Sequence, residues 1–194
     1  MSDQEYKFLS QPRRVVEDRR FVVGKGRYIA DYDHADMAHV ALLACHLPAA
    51  TIDDIDTSAA LAMPGVIDVV TGAELATAIG PLMNGLDTPN VRRYPLAVGQ
   101  VRYAGEWVCA VIAESRAVAE DAVEKIRLQT TALPFVLDPE QALRKDSPPV
   151  HPDHQANVLL DKQFVWGPVD DDFAKADHQL SFSVIWGRNS TVPI

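Results

Sequence analysis

Four short stretches of the sequence hold residue types that often bind ligands or catalyse reactions. They are "GKGRY" (24–28), "HPDH" (151–154), "DDD" (170–172) and "RYAGEW" (102–107). Each has a chemical interpretation and a structural one, and the neighbouring sequence decides between them.

The glycine-containing stretch at 24–28 could bind a phosphate through the backbone N–H groups of a turn. It lacks the third glycine of a dinucleotide-binding fingerprint, and no helix follows it at once. A tight turn between two strands is therefore the preferred interpretation. A stand-alone anion- or nucleotide-binding module that uses this turn is kept as the alternative function.

Two acidic or histidine-rich stretches could bind metal ions. His151, Asp153 and His154 are possible transition-metal ligands, which would suit a small metal-dependent hydrolase. They lie in a proline-rich segment with no third histidine at a useful spacing. The aspartates at 170–172 have a simpler role at a helix start, where carboxylates are favoured by the helix dipole. The sequence therefore predicts no metal site.

The stretch at 102–107 has a carboxylate beside a flexible backbone position. Gly105 allows the backbone to turn or to be approached closely, and Glu106 has Arg102 near it. No second carboxylate stands at a spacing typical of acid–base catalysis, and no nucleophile elbow or triad signature occurs elsewhere. A structural turn with an ion pair, or a contact with a partner, is expected, and no catalytic or cofactor-binding residue is predicted.

Composition narrows the class of protein. The 194 residues are 47% hydrophobic and 23% charged, as in ordinary globular domains, and the net charge of −9 argues against a nucleic-acid partner. No apolar run approaches 18 residues, so no membrane span is predicted. Cys45 and Cys109 lie in apolar runs and are expected in the core, which fits a reducing, cytoplasmic location.

The order of elements predicts an α+β body of short strands and short helices over residues 21–143. Helix signals occur at 58–62, capped by Thr57 or Asp56, from Gly72, at 114–128, capped by Ser115, and after Asp138-Pro139. Strands are predicted at 37–44, 51–56, 66–70, 101–113 with a bend at Ala104-Gly105, and 133–138.

The two ends of the chain differ from this body. Residues 1–20 are predicted to form an extended basic arm, and residues 144–157 a linker. A second unit then begins at 158, with strands at 163–166 and 178–186. The final strand needs a partner strand, so residues 158–194 are expected to be completed by another chain.

Several longer stretches, in this order, resemble one protein family. They include "EDRRFVVGKGRYIAD" (17–31), "IDTSAALAMPGVIDVVTGAEL" (55–75), "LAVGQVRYAGEWVCAVIAESRAVAEDAVEKIRL" (96–128) and "LPFVLDPEQAL" (133–143). The sequence resembles the N-terminal part of the large, molybdopterin-binding subunit of the molybdenum hydroxylases. This group comprises the xanthine dehydrogenases, aldehyde oxidases and carbon monoxide dehydrogenases.

The resemblance implies an α/β hammerhead fold and an oxidoreductase complex. The family's cofactor loops and catalytic glutamate lie downstream of the matching region, so no cofactor is expected on this chain. The whole complex would hold molybdenum–molybdopterin, a [2Fe–2S] cluster and, where an FAD subunit joins, FAD. The expected partners are a molybdenum-binding large chain, an iron–sulfur small subunit and that FAD subunit.

On this interpretation the chain is a non-catalytic structural subunit, or a fragment, that completes the large subunit. Glycines permit close backbone approach, and exposed aromatic rings often anchor interfaces. The residues expected to contact a partner are Gly24, Gly26, Tyr28, Tyr103, Gly105 and Glu106. The stretch "CHLPAATIDDID" (45–56) is shorter than in relatives and lacks a second histidine, which leaves the substrate class open.

Overall fold

The computed structural model describes residues 14–82, 91–154 and 156–187. The helices are α1 (Asp18–Val22), α2 (Ser58–Leu61), α3 (Gly72–Ile79), α4 (Arg116–Val123), α5 (Pro139–Ala142) and α6 (Val169–Lys175), with a 3₁₀ turn at Ile29–Asp31. The strands are β1 (His39–Cys45), β2 (Ala50–Asp56), β3 (Val66–Thr71), β4 (Gln100–Val101), β5 (Glu106–Ala113) and β6 (Arg127–Ala132). The described residues 14–35 and 181–187 belong to one compact unit, and Asp36–Leu180 to a second.

The second unit contains two antiparallel three-stranded sheets, in the orders β1-β5-β3 and β4-β2-β6. Helices α2 and α4 pack on the first sheet. The shared core consists of small and β-branched residues, including Val69, Val101, Val108, Val111, Ala119 and Ala122. The predicted α+β class with short elements is confirmed.

A bulge in the central strand β5 allows two consecutive side chains to be buried. The register with β1 shifts between Leu43, opposite Cys109, and Ala44, opposite Trp107, so Val108 is the extra residue. Strict alternation would expose one of two neighbouring residues, but Val108 and Cys109 are both fully buried.

The predicted helix starts are formed by side-chain caps. The Ser115 hydroxyl accepts a hydrogen bond from the Val118 N–H at 3.3 Å, and Asp138 accepts one from the Glu140 N–H at 3.0 Å. At α2 the capping carboxylate belongs to Asp56, which accepts from the Ser58 N–H at 3.0 Å. These contacts confirm the predicted caps, because they satisfy N–H groups that have no partner within the helix.

Two predictions for the segment after Ser115 are wrong. The helix expected over 114–128 ends at Val123, and the strand expected at 133–138 lies earlier, as β6 at Arg127–Ala132. Strand β6 pairs with β2 from Asp56–Arg127 to Ala50–Ala132. This pairing depends on a distant segment, so it outweighs the local helical pattern.

The predictions for the chain ends also need correction. Residues 18–22 form helix α1, so the arm is not extended at its end, and the strand expected before the Gly24 turn is a helix. The arm predicted at 1–13 lies outside the described residues. No strand forms at 163–166 or 178–186, where Trp166 and Trp186 are 93% and 87% exposed. A strand needs a hydrogen-bonded neighbour, and none pairs with these described residues.

Candidate functional site

The "GKGRY" turn closes the C-terminus of helix α1. Gly24 has φ +69°, and its N–H donates to the Phe21 carbonyl at 3.0 Å. The Lys25 N–H donates to the Arg20 carbonyl at 2.7 Å. This pair of bonds is a Schellman ending, which satisfies carbonyl groups at the negative end of the helix. Two N–H groups that an anion would need are therefore already engaged.

The rest of this turn packs on one aromatic ring. A Cβ atom on Gly26 would lie 2.7 Å from the Phe21 ring, which explains the absence of a side chain there. The Tyr28 ring stacks on the same Phe21, with centroids 6.3 Å apart and planes 23° from parallel. Tyr28 nevertheless keeps 41% of its surface exposed, so its outer face is open to a partner.

The second predicted contact stretch is a β-turn that leads into strand β5. The Glu106 N–H donates to the Tyr103 carbonyl at 3.2 Å, and Gly105 has φ +91° at the third position of the turn. The Gly105 N–H also donates to the Cys45 carbonyl at 2.7 Å, which fixes the turn to the end of β1. Tyr103 is 60% exposed at its tip.

The carboxylate of Glu106 stabilises this turn through its contacts with Arg102. Its side chain is only 12% exposed and accepts a hydrogen bond from the Arg102 backbone N–H. The Arg102 guanidinium lies 3.8 Å away and also donates to the Gln100 carbonyl at 3.1 Å. Burial raises the pKa of Glu106, and the Arg102 N–H and charge oppose that rise. The ion pair predicted from sequence is present, and its role here is to position the turn.

A cavity of about 180 Å³ lies beside Arg102. Its lining comprises Val91, Arg92, Tyr94, Val98, Arg102, His151, Pro152 and Asp153. Burial lowers the pKa of His151, and the nearby charges of Arg102, His154 and Arg93 lower it further. The lining carries two guanidinium groups, those of Arg92 and Arg102, and one carboxylate, that of Asp153, so positive charge outnumbers negative charge there.

The donor groups of the described residues do not form a molybdenum or iron–sulfur site. Among the described residues, no three His, Cys, Asp or Glu side chains converge closely enough to hold a metal ion. His154 instead contacts the Val158 carbonyl at 3.2 Å, and the aspartates at 170–172 begin helix α6. Both cysteines are buried, and burial raises the pKa of Cys109 to about 11, which disfavours the thiolate that a cluster requires.

The six predicted contact residues fall into two groups. Gly24, Gly26 and Tyr28 lie in the first compact unit, whereas Tyr103, Gly105 and Glu106 lie in the second. Sequence reasoning missed a different surface, formed by exposed apolar residues of the first sheet such as Val40 and Trp107, 60% and 50% exposed. The sequence of β1, apolar at every position after His39, gave no signal that one of its faces is exposed. Within residues 14–82, 91–154 and 156–187, every helix is too short or too polar to cross a bilayer.

Comparison with known proteins gives a consistent result. Residues 23–134 match the family model "Aldehyde oxidase and xanthine dehydrogenase, a/b hammerhead domain". The nicotine 6-hydroxylase large subunit of Paenarthrobacter nicotinovorans is 34% identical over 182 residues, which are 92% of this chain and 22% of that one. The nicotinate dehydrogenase large molybdopterin subunit of Eubacterium barkeri is 27% identical over 90% of this chain and 39% of its own.

A solved structure supports the same fold. The Cu,Mo-CO dehydrogenase in its carbon monoxide reduced state matches with a TM-score of 0.68 and 30% identity. The match covers 86% of this chain and 22% of the other. The chain therefore spans less than two fifths of the length of each of these relatives.

Proposed function

The chain belongs to the aldehyde oxidase and xanthine dehydrogenase family through its α/β hammerhead domain, and we propose that it is a non-catalytic structural part of a molybdenum hydroxylase. In this role it completes the large subunit, while another chain carries molybdenum and molybdopterin. The complex would be an oxidoreductase in the cytoplasm. An iron–sulfur subunit and an FAD subunit would complete it.

The match to the hammerhead domain, combined with the coverage of the relatives, carries this proposal. The chain corresponds to only 22% of the nicotine 6-hydroxylase large subunit, so most of that protein lies outside the matched segment. The relatives' names place molybdenum or molybdopterin in proteins that contain this segment.

The exposed apolar side chains of the last segment support completion by a partner. Residues in this segment with exposed apolar side chains include Phe164, Val165, Trp166, Phe173, Leu180, Phe182, Val184, Ile185 and Trp186. Monomeric proteins rarely leave so many large apolar groups in water. We place the hammerhead domain at 21–143, the linker at 144–157 and the start of the partner-completed region at 158.

The predicted contact residues take different roles in this proposal. Tyr28 and Tyr103 present exposed rings and would anchor the partner directly. Gly24 and Gly105 would allow its backbone to approach closely. Gly26 and Glu106 would act indirectly, because Gly26 packs on Phe21 and the buried Glu106 carboxylate holds its turn.

Purification from the native host tests the proposal. A tagged chain is isolated, the chains that accompany it are identified by mass spectrometry, and the complex is assayed for molybdenum and iron. We expect a molybdopterin-binding chain, an iron–sulfur chain and stoichiometric molybdenum. Recovery of a well-folded, metal-free chain alone would contradict the proposal.

The alternative function, an anion-binding module on the "GKGRY" turn, has less support. The N–H groups of Gly24 and Lys25 already close helix α1. Titration with phosphate and with ATP in a calorimeter tests it, with Gly26→Val as the comparison. Saturable binding of phosphate or ATP that Gly26→Val abolishes would support the anion-binding function.

A further inference from the structure

One face of the β1-β5-β3 sheet is formed almost entirely by apolar residues. Residues directly opposite each other in an antiparallel sheet share a face. The register pairs Val40 with Ile112, Leu42 with Ala110, Ala44 with Trp107, Val70 with Ala110 and Asp68 with Ile112. These eight residues, here called the open face, include one charged side chain, that of Asp68.

The open face is exposed while the opposite face is covered. Val40 is 60% exposed, Leu42 37% and Trp107 50%. Helices α2 and α4 contact the sheet on the other side, where Ala119 and Ala122 join the core. An antiparallel sheet with one face in water normally alternates apolar and polar residues, so a second apolar face indicates a covered surface.

The charge of the chain disfavours a second copy as the covering partner, and the area of the open face requires contacts beyond it. Three strands about 4.8 Å apart, each contributing five residues at about 3.4 Å, span roughly 250 Å². A stable interface buries about 800 Å² on each partner, so any partner must also contact residues beyond the open face. Each copy also carries a net charge of −9, and two such copies repel each other.

The remainder of a large subunit is large enough to contact residues beyond the open face. More than three quarters of the nicotine 6-hydroxylase large subunit lies outside the matched segment, in the same chain. A partner of that size can cover the open face and also contact the exposed apolar residues after 158. Its own contacting surface should be apolar, because the open face offers a single charge.

We propose that the open face is the docking surface for the molybdopterin-binding part of the large subunit, with Val40, Leu42 and Trp107 as central contacts. This inference rests on the proposed function and adds the surface through which that function is exercised. It assigns the main contact to residues other than the six predicted from sequence.

Charged substitutions on the open face test the inference. The tagged full-length chain is co-expressed with the molybdopterin-binding chain of the same host, and the dissociation constant of the purified pair is measured. Val40→Lys and Trp107→Arg should each weaken binding at least tenfold. The matched control Ala117→Lys adds the same charge at an exposed position of α4 and should change binding less than twofold.

A second measurement does not depend on variant folding. Hydroxyl-radical footprinting of the wild-type chain should show Trp107 protected in the complex and oxidised in the free chain. Far-UV circular dichroism and melting temperatures check that both open-face variants fold. If either fails to fold, the footprint alone decides.

Three outcomes separate the proposals. If wild type and both open-face variants bind equally and Trp107 stays reactive, the docking surface is wrong while the proposed function stands. If wild type does not bind the cofactor chain, the proposed function fails and the docking surface fails with it. If sedimentation shows a wild-type dimer that Val40→Lys dissociates, a second copy is the occupant and the inference is overturned.

Discussion

Glu106 illustrates how one buried charge can serve structure without serving catalysis. Its carboxylate accepts the Arg102 N–H and lies 3.8 Å from the guanidinium of the same residue. Without a second catalytic group beside it, this arrangement orders the Tyr103 turn. The exposed Tyr103 ring is thereby held at the entrance to strand β5.

Two substitutions of Glu106 should distinguish the effect of its hydrogen-bond acceptor on stability from the effect of its charge. Glu106→Ala should lower the free energy of unfolding by about 1–3 kcal/mol, because the buried Arg102 N–H loses its acceptor. Glu106→Gln keeps an acceptor and should cost less. Urea unfolding at pH 7 measures both, and an unchanged midpoint for the alanine variant would contradict the structural role.

Glu106 should also affect how the free energy of unfolding depends on pH. Because burial raises the folded-state pKa of Glu106, the folded state binds more protons than the unfolded state above the ordinary glutamate pKa of about 4.3. The contribution of Glu106 to stability should therefore fall as the pH rises from the ordinary glutamate pKa through the raised pKa of the folded state. The free energy of unfolding is measured against pH for the wild type and for Glu106→Gln. The difference between the two isolates the contribution of Glu106 from the opposite contribution of His151, whose pKa is lowered.

The two thiols should be unreactive in the native chain. Cys45 is 4% exposed, and Cys109 is fully buried with a pKa of about 11. At pH 8 only about 0.1% of a thiol with that pKa is ionised, and the thiolate is the reactive form. Ellman's reagent should titrate no thiol rapidly in buffer and both in guanidinium chloride, with Cys45→Ala as the single-thiol control. Prompt reaction of one equivalent in buffer would contradict this.

At the scale of elements, helix α3 depends on a close contact at its first residue. Thr71 and Glu74 form a reciprocal capping box, with the Thr71 N–H donating to Glu74 at 2.8 Å. A Cβ atom on Gly72 would lie 1.9 Å from the Ala97 carbonyl oxygen. The loop at Ala97 also donates to the Trp107 carbonyl at 2.7 Å, so it has little freedom to move away.

Gly72→Ala should therefore be strongly destabilising. We expect a loss of at least about 2 kcal/mol, because a backbone oxygen must shift to accept the methyl group. Gly80→Ala at the other end of α3 is the control, since no atom lies within 4 Å and only its φ of +68° opposes a side chain. Its expected cost is about 1 kcal/mol. Thermal unfolding compares them, and equal melting temperatures would refute the contact.

For the whole molecule, residues after 158 should contribute little to the stability of the second unit. Core residues such as Val69, Val101 and Val111 come from the two sheets and α4. A chain that ends at Val158 keeps Asn157, whose side chain bonds the Pro148 carbonyl at 3.0 Å and the Val150 N–H at 2.9 Å.

Truncation after Val158 should leave the melting temperature within a few degrees of the full chain. Binding of the dye ANS should fall, because many exposed apolar side chains are removed. Differential scanning calorimetry and dye fluorescence measure the two effects. Loss of a cooperative transition would mean that the last segment is part of the folded core.

The sequence by itself determined the fold class and most elements of the body. Local signals were sufficient for the caps at Ser115 and Asp138 and for the bend at Gly105, because each depends on residues only a few positions apart. The family resemblance, spread over most of the chain, pointed to the α/β hammerhead fold that the comparisons support.

Only the tertiary structure decided which segments pair and which faces are covered. The helix after Ser115 stops at Val123 because residues 127–132 pair with β2, more than 70 positions away in the sequence. Apolar strands such as β1 have the same composition whether one or both faces are buried. Val40 and Trp107 became candidates for docking only when the sheet placed them together on a face that no helix of the described residues covers. Pairing and coverage join distant residues, and local patterns contain no information about those contacts.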